Sequence, residues 1–398
     1  MRVALVTSEY VTEPSGDGGL AGYLYRIAVI LKDMGYSPVV LVASDHNEQF
    51  MHEGVEVRRV MARHRVIDWI DCLTRHWLPL DWLWQSWVLN RAVIRAEREQ
   101  PFNVIHFSSY MAVGLFRRSR TPAVIRLSSL QRMLHEANEV PRRFRERLAE
   151  KLELWALTRG DLLFAPSKLL ADRVTALTGR AVQVLESPWM PSGTAPDPTL
   201  YQQQLAGKNY LLYFGTLNVL KGLPALAEAL PQILEESPEL HFVAVGKQRH
   251  YRGLPMSDYI RKCAGRHADR VHYLGKQGRP RLDPVIDHAQ AVVLPSRLDN
   301  LSNACIEAMA HGKIVVATHG ASFEQLIDDG KSGLLCKIDD PDDLRNVLRR
   351  LLQMSQEQRH AMGERAKARV KLLHPDIVAS QLVRFYREAN KKCAVEKL

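Results

Sequence analysis

Short apolar runs alternate with amphipathic segments along the whole chain. The runs are rich in β-branched residues, as in 38–42 (Pro-Val-Val-Leu-Val), and this pattern is typical of parallel strands buried on both faces. Between the runs the pattern is helical, and strand–helix alternation predicts a doubly wound α/β architecture. In the first half the pattern predicts strands at 2–7, 37–42, 103–107, 123–127 and 162–165, and a helix at 22–34.

The composition changes to Pro, Ser and Gly between residues 187 and 196, which predicts a linker. The α/β pattern then restarts, so we predict two similar domains with boundaries at 1–190 and 191–375. A last amphipathic segment, 377–390, predicts a C-terminal helix. The second half predicts strands at 210–214, 241–245, 271–273, 291–294 and 314–317, and helices at 224–235 and 303–310.

Composition and charge narrow the class of protein. The 398 residues are 46% hydrophobic and 25% charged, which is ordinary for a globular protein and excludes a disordered or collagenous chain. Five cysteines without a C-x-x-C pair argue against a zinc site or a disulfide framework, so we expect a reducing, cytoplasmic setting. No apolar stretch is long enough to span a bilayer. The net charge of +10 is spread over both halves, which favours anionic small ligands or an anionic membrane surface over nucleic acid.

A glycine-rich loop, 15–19 (Ser-Gly-Asp-Gly-Gly), separates the first predicted strand from its helix. Glycines let the backbone approach an anion, and a helix N-terminus offers free N–H groups and a partial positive charge. A flexible strand–helix turn explains the same pattern equally well.

Lys221 follows the end of a predicted strand at Gly215 by six residues and stands just before a helix. This spacing would direct an ammonium group towards a phosphate lying over the second sheet. The alternative is a solvated lysine in a surface loop.

The strongest local pattern lies between Pro295 and Gly312. A short polar loop carries Asp299, Ser302 is a good N-cap for the helix that follows, and Glu307 lies on that helix. Two carboxylates would thus flank a helix N-terminus, an arrangement that suits a sugar–diphosphate–ribose ligand. The alternative is an aspartate in a turn and a glutamate in a buried salt bridge.

Further short motifs occur in a fixed order over nearly the whole chain. They are Gly35-Tyr36, Asn103-Val104-Ile105-His106, Ala165-Pro166-Ser167, Lys221-Gly222, Glu307-Ala308-Met309-Ala310, 312–317 (Gly-Lys-Ile-Val-Val-Ala) and 329–335 (Asp-Gly-Lys-Ser-Gly-Leu-Leu). Together with the features above, this ordered set resembles the retaining glycosyltransferases of family four, which have the GT-B fold. The resemblance implies two Rossmann-like parallel-sheet domains facing a cleft, with a C-terminal helix (376–398) packing back on the N-terminal domain.

The resemblance also implies a separate binding role for each domain. The N-terminal domain would bind a hydroxyl acceptor and the C-terminal domain a nucleoside-diphosphate sugar. Lys221 would neutralise the diphosphate, Asp299 would bind hydroxyls of the donor sugar and Glu307 those of the ribose. The donor-binding residues that it implies are Gly18, Gly19, Gly215, Thr216, Lys221, Gly275, Lys276, Asp299, Asn300, Leu301, Ser302, Asn303 and Glu307.

Three positions depart from the family pattern. Asp299 stands where the first glutamate of an E-x7-E motif is usual, and Thr216 stands where an arginine usually follows the glycine. Ser108 occupies the position of a second histidine near the acceptor. Either the acceptor site is built differently, or His106, whose position is more typical of a strand residue, or another group serves there, so His106 and Ser108 are the acceptor-side candidates.

The mechanism that the resemblance implies is transfer with retention at the anomeric carbon, without a protein nucleophile, metal or other cofactor. A UDP sugar is the favoured donor, while the sugar, the acceptor and the linkage stay open. Two alternatives remain: a nucleotide-sugar epimerase on the same fold, and a non-catalytic protein that binds nucleotide sugars.

Five of the seven tryptophans, Trp69, Trp77, Trp82, Trp84 and Trp87, lie within 19 residues, and Arg91 and Arg95 follow. Tryptophan favours surfaces that are apolar on one side and wet on the other. We hypothesise that this segment contacts a membrane, at the inner face of which the protein would act, or a lipid-linked acceptor. A helical pair packed on the N-terminal domain is the alternative with equal weight.

Overall fold

The computed structural model describes residues 1–14, 16, 18–62, 70, 78–139, 141–191 and 193–395. The chain divides into two compact units, one formed by Met1–Pro188 and His374–Leu398 and the other by Trp189–Leu373. The Pro-rich stretch proposed as a linker spans the first boundary. Ser15, Asp17, Trp69 and Trp77 lie outside the described residues.

The first unit is built on an eight-stranded sheet in the order β3-β4-β2-β1-β5-β6-β7-β8. Every pairing is parallel except that of β3 with β4. The central strands are buried along their whole length, as their unbroken apolar runs predict. The strands are β1 Arg2–Thr7, β2 Ser37–Ser44, β3 Glu48–His52, β4 Val55–Met61, β5 Val104–Ser108, β6 Ala123–Arg126, β7 Leu162–Ala165 and β8 Val182–Val184.

The C-terminal helix belongs to this first unit. Its residues Leu382, Phe385 and Tyr386 pack in the core formed by β1, β5 and the first helix. The fold therefore matches the expectation of a C-terminal helix that returns to the N-terminal domain. The helices of this unit are α1 Gly19–Asp33, α2 Leu80–Glu99, α3 Gln131–Ala137, α4 Phe144–Leu157, α5 Lys168–Thr178 and, at the C-terminus, α13 Pro375–Val395.

The second unit is built on a six-stranded parallel sheet in the order β13-β10-β9-β14-β15-β16. A separate two-stranded hairpin is formed by β11 and β12. Since all six strands run in one direction, their carboxyl ends lie at one edge of the sheet, where ligands bind in folds of this type. The strands are β9 Asn209–Phe214, β10 Leu240–Val245, β11 His250–Tyr251, β12 Leu254–Pro255, β13 Val271–Tyr273, β14 Ala291–Leu294, β15 Ile314–Thr318 and β16 Leu334–Cys336.

Helices cover this second sheet and share one continuous apolar core with it. They are α6 Thr199–Gln204, α7 Leu223–Glu236, α8 Met256–Ala264, α9 Arg279–His288, α10 Asn303–Ala310, α11 Pro341–Gln353 and α12 Gln356–Lys371.

The predicted strands and helices are confirmed to within a few residues, and the doubly wound architecture with them. The prediction missed β3, β4, β8 and β16, which are short or carry charged residues, and the two-residue hairpin strands β11 and β12. In the parts of the chain that the structure describes, no helix combines the length and apolar character needed to cross a bilayer.

Candidate active site

Three strands of the second sheet end in glycines that lie side by side. Gly215 follows β9, Gly246 follows β10 and Gly275 follows β13. Gly215 N donates to Val245 O at 2.9 Å, and Gly246 N donates to Gly275 O at 2.8 Å. At Gly246, φ is +142° and a Cβ would lie 1.8 Å from the carbonyl oxygen of Gly215, so no side chain fits there. The edge is thus bare backbone that a ligand can approach. The sequence analysis missed Gly246, although it follows a strand as Gly215 and Gly275 do.

The loop that carries Lys221 is a short 3₁₀ turn, Val219–Lys221. Asn218 caps it, because its Oδ1 accepts from the backbone N–H of Lys221 at 3.0 Å. The loop lies directly on the end of β14, where Arg297 N donates to Leu220 O at 2.9 Å. These contacts hold the lysine backbone in one position.

Gly222 makes this close approach possible. Its φ is +68°, and a Cβ there would lie 1.6 Å from the carbonyl oxygen of Pro295. We expect Gly222→Ala to destabilise the second unit by roughly 3 kcal/mol, from backbone strain and from the displaced loop. Gly207→Ala is the matched control, since φ there is +77° with open space around the Cβ position. It should cost only about 1 kcal/mol. Urea unfolding measures both, and equal losses for the two variants would contradict this reading.

The structure brings Lys221 and Asp299 together across 78 residues of sequence. Lys221 Nζ donates to Asp299 Oδ2 at 2.6 Å, and both side chains are partly exposed, by 27% and 16%. The other carboxylate oxygen accepts from the backbone N–H of Asn300 at 3.0 Å. A lysine and an aspartate therefore form one polar group at the carboxyl edge of the second sheet, a pairing that neither motif predicted by itself.

Asp299 leads directly into the N-terminus of α10. Ser302 is the N-cap, with its hydroxyl accepting from Cys305 N at 3.4 Å, and Gly312 follows the helix with φ +69°. The N-cap predicted from the sequence, Ser302, is confirmed. Ser322 Oγ donates to Asn300 O and ties the loop to the next strand connection. The first turn of the helix, from Asn303, contributes N–H groups and a partial positive charge beside the ion pair.

Glu307 lies one turn further along α10 and is held by a residue that the sequence analysis missed. Arg279 Nη1 lies 2.7 Å from Glu307 Oε2, and Arg279 Nη2 lies 3.2 Å from Asp283 Oδ1. Arg279 begins α9, so its partner is set by helix packing alone. No local signal in the sequence links residues 279 and 307.

The charge on Asp299 acts on two buried neighbours. Burial raises the pKa of the Tyr213 hydroxyl, and the Asp299 carboxylate raises it further. The same two causes, in the same order, raise the pKa of the Cys305 thiol. Cys305 is therefore a neutral thiol at neutral pH and a poor nucleophile.

Among the other predicted donor residues of this unit, Thr216 and Lys276 are exposed, and Leu301 faces the loop only with its backbone. Thr216 is exposed and uncharged, and its carbonyl oxygen accepts from Tyr213 Oη at 2.8 Å. Lys276 is exposed beside Gly275. The side chain of Leu301 is buried in the core, so only its backbone faces the loop.

In the first unit, Gly18 and Gly19 form the start of α1. Gly18 is the N-cap position, and a Cβ there would lie 3.2 Å from Glu9 Oε1. Gly18 therefore lies beside a carboxylate that follows β1.

The acceptor-side candidates need correction. His106 and Ser108 are both fully buried in β5. His106 Nδ1 lies 2.7 Å from Tyr386 Oη of the C-terminal helix, and Ser108 Oγ lies 3.5 Å from Thr7 Oγ1. Burial, and then the charge of Arg126, lowers the pKa of His106 to about 3. His106 is a neutral core residue because its strand lies in the middle of the sheet.

A cavity of about 450 Å³ lies at the carboxyl ends of β1 and β2 in the first unit. Ser8 lines it, and its hydroxyl is buried with no hydrogen-bond partner among the described residues. Glu13 also lines it and accepts from Arg59 Nε at 2.8 Å and from Ser44 Oγ at 2.7 Å. Burial would raise the pKa of Glu13, but these hydrogen bonds outweigh it and the pKa is lowered. The cavity is thus polar and carries an ionised carboxylate.

The described part of the tryptophan-rich segment begins α2. Trp82 packs on the small apolar cluster that contains Leu115 and Leu152. The rings of Trp84 and Trp87 stack at 5.1 Å between centroids, and Trp87 is 37% exposed. Trp82 therefore supports the packing alternative, whereas Trp87 presents its ring to solvent.

Two doubly wound units, one of them with glycines, a lysine and a helix N-terminus at its carboxyl edge, define an α/β protein with two Rossmann-like domains. Residues 18–188 match the family model of the glycosyl transferase 4-like domain, and residues 208–354 match that of the glycosyl transferases group 1. The chain belongs to the group 1 glycosyltransferases of family four, which are transferase enzymes, and has their GT-B fold.

Curated relatives are distant. An uncharacterized glycosyltransferase of Methanocaldococcus jannaschii is 23% identical over 54% of this chain and 55% of that protein. A phosphatidyl-myo-inositol mannosyltransferase of Mycolicibacterium smegmatis is 28% identical over 43% and 42%. The match thus spans about half the length of these two relatives. A D-inositol 3-phosphate glycosyltransferase of Nocardioides is 24% identical over 98% of this chain and 90% of that protein.

Solved structures share the fold over the whole chain. Sucrose-phosphate synthase of Thermosynechococcus elongatus has a TM-score of 0.77 at 18% identity and covers 98% of both chains. Anabaena HepE, in complex with UDP and glucose, has a TM-score of 0.69 at 19% identity and covers 97% of this chain and 99% of its own.

Proposed function

We propose that this chain transfers a sugar from a UDP sugar to a hydroxyl acceptor with retention of the anomeric configuration. The observation that carries the proposal is the Lys221–Asp299 ion pair, 2.6 Å long, at the start of α10 on the carboxyl edge of the second sheet. A binding site for a nucleotide sugar needs a cation and free helix N–H groups for the diphosphate, and a carboxylate for the hydroxyls of the sugar.

In this proposal the second unit binds the donor. Lys221 and the first turn of α10 bind the diphosphate, and the Asp299 carboxylate accepts hydrogen bonds from hydroxyls of the sugar. Glu307 accepts from the two ribose hydroxyls, and Gly275 and Lys276 lie along the base. The bare glycine edge supports this placement because it lets the diphosphate approach the backbone closely.

The chemistry follows from charge at the leaving group. The bond between the anomeric carbon and the diphosphate oxygen breaks, and the acceptor oxygen forms its bond to that carbon on the same face. The proton of the acceptor passes to a diphosphate oxygen, so no protein nucleophile and no metal is required. Lys221 and the α10 N-terminus offset the negative charge that develops on the departing UDP, where a fixed cation counts for more than it does in water.

We assign the acceptor to the polar cavity of the first unit. The hydroxyl of Ser8, which has no hydrogen-bond partner among the described residues, and the carboxylates of Glu9 and Asp45 line this cavity and suit a ligand rich in hydroxyls. This assignment replaces the earlier acceptor-side candidates, His106 and Ser108, which are buried.

The choice of UDP is supported by the complexes of similar fold, since the structures of HepE and of an Escherichia coli trehalose-6-phosphate protein contain UDP or UDP-glucose derivatives. We expect UDP to raise the melting temperature of the protein more than GDP or ADP does. A ligand at a hundredfold excess over its Kd stabilises the folded state by about 2.7 kcal/mol, enough to rank the three in a thermal-shift assay. A larger shift with GDP or ADP would reject the UDP assignment while leaving transfer itself open.

A transfer assay separates the remaining functions. A UDP sugar incubated with a panel of hydroxyl acceptors should release UDP and form a glycoside of unchanged anomeric configuration, with EDTA present or absent. Conversion of the nucleotide sugar without any acceptor would favour an epimerase. Tight UDP binding with no turnover across the panel would favour a non-catalytic binding protein.

A further inference from the structure

Helix α2 presents a stripe of one tryptophan and three arginines to solvent. Trp87, Arg91, Arg95 and Arg98 follow each other at spacings of four, four and three residues, which places them on one helix face. All four side chains are exposed, whereas residues such as Leu89 on the other face are buried. The helix therefore packs on its own unit with one face and leaves a basic, aromatic face uncovered.

The stripe forms one wall of a groove of about 290 Å³, which we call the α2 groove. Its other wall comes from the loop after β5, where Phe116 is half-buried and Arg118 is exposed. The groove thus gathers four guanidinium groups around two aromatic rings.

The four arginines have no carboxylate partner in the part of the chain that the structure describes. The contact recorded for Arg91 is with the ring of Trp87, 5.3 Å from its centroid. The two nearby glutamates of α2 are engaged elsewhere: Glu97 accepts from Ser119 Oγ at 2.6 Å, and Glu99 lies 2.6 Å from an arginine of β4. The positive charge of the groove is therefore left for a ligand from outside the chain.

Several other basic residues of the same unit are paired. Arg132 and Arg173 both contact Glu136, at 3.0 and 2.7 Å, and Lys168 contacts Asp172 at 2.6 Å. These paired residues contrast with the arginines of the α2 groove and provide a control set for the experiment below.

We propose that the α2 groove docks on the phosphate headgroups of an anionic phospholipid bilayer. Guanidinium groups bind phosphate oxygens through paired N–H donors, which supplies the charge complementarity. The half-exposed ring of Trp87, with its apolar body and polar N–H, suits the boundary between headgroups and acyl chains. A nucleic acid would also satisfy the arginines, but it is bound along a channel that follows its backbone, and a groove of about 290 Å³ is short for such a channel, which favours a lipid surface.

The test is co-sedimentation of the full chain with vesicles. Phosphatidylcholine vesicles containing phosphatidylglycerol should bind the protein, and vesicles of phosphatidylcholine alone should not. The triple variant Arg91→Gln/Arg95→Gln/Arg98→Gln should bind roughly a hundredfold more weakly, because each arginine near an anionic surface contributes about fivefold in affinity. High salt should abolish binding of the unaltered protein, since it screens these charges.

A matched control removes the same amount of charge elsewhere. Arg132→Gln/Lys168→Gln/Arg173→Gln alters three basic residues of the first unit that have partners, and it should bind vesicles as the unaltered protein does. A separate variant, Trp87→Ser, should weaken binding severalfold while the salt dependence stays the same. Thermal melting and UDP binding check that every variant is folded.

Two results would overturn the proposal. If both triple variants lost vesicle binding equally, the effect would come from net charge and not from the α2 groove. If the unaltered protein did not bind anionic vesicles, docking on a bilayer would be excluded. Binding of single-stranded DNA through the same arginines, without vesicle binding, would assign the groove to nucleic acid. None of these outcomes depends on sugar transfer, so the experiments test docking on a bilayer independently of the proposed function.

Discussion

Replacing Lys221 by alanine should lower the rate of sugar transfer roughly 10²-fold, about 3 kcal/mol in activation free energy, while the protein stays folded. The ammonium group is held 2.6 Å from Asp299 at the α10 N-terminus. In the proposed reaction it offsets charge that grows on the diphosphate as the sugar leaves. The rate at saturating donor and acceptor measures this effect.

Stability should change little in the same variant. The ion pair is partly exposed, and pairs of this kind contribute only about 0–1 kcal/mol to folding. Lys331→Ala is the matched control, because Lys331 is also an ion-paired lysine of the second unit, 2.9 Å from Asp328. Transfer at the unaltered rate by Lys221→Ala would remove this residue from the mechanism. A parallel loss in Lys331→Ala would point to a general effect on the second unit.

Replacing Glu307 by alanine should weaken nucleotide binding by roughly 10²-fold, since two hydrogen bonds to a charged group are worth about 3 kcal/mol together. Arg279 holds the carboxylate at 2.7 Å and so fixes its orientation before the ligand arrives. Isothermal titration should show the same loss for uridine, UMP and UDP, because all three carry the ribose.

This dependence on the ligand separates the two residues. Lys221→Ala should weaken the binding of UDP and leave the binding of uridine unchanged, since uridine has no phosphate. Glu364→Ala provides the control for Glu307→Ala, as Glu364 is an ion-paired glutamate of the same unit, 2.8 Å from Lys367. Equal affinity of Glu307→Ala and the unaltered protein for uridine would show that the ribose lies elsewhere.

The elements that the sequence predicted well share a local cause. A strand buried on both faces needs an unbroken apolar run, as in β1 and β14, and a buried strand of this kind is visible within a few residues. Helix ends are also local, because Ser302 and Gly312 satisfy backbone groups one turn away. Edge strands such as β3 lack this signal: its five residues carry a charge and face solvent.

The residues of the candidate site likewise fall into those that a local motif predicted and those that only tertiary packing brings together. The motifs around Lys221 and Asp299 were visible because each lies in one strand–turn–helix connection, and parallel strands bring such connections to one edge. Arg279 was not visible, since its contact with Glu307 arises from the packing of two helices. His106 was assigned to the acceptor side because a motif does not reveal depth, and β5 lies within the sheet, with its histidine under Tyr386.

The α2 groove shows that the sequence also does not reveal which side chains of a surface helix are buried and which are exposed. The sequence indicated a segment rich in tryptophan and arginine but could not tell which rings are buried. In the structure Trp82 packs inward and Trp87 points outward. The position of the arginines on one helix face could be read from spacing, whereas their lack of carboxylate partners could not.

The sequence by itself determined the two α/β units, the approximate positions of their buried strands and the family, because burial on both faces and backbone capping depend on neighbouring residues. Only the tertiary structure decided which charged groups meet, which histidine is buried and which arginines remain unpaired. The physical reason is that hydrogen bonds and ion pairs act over about 3 Å in space, and in this chain the partners are separated by up to 280 residues of sequence.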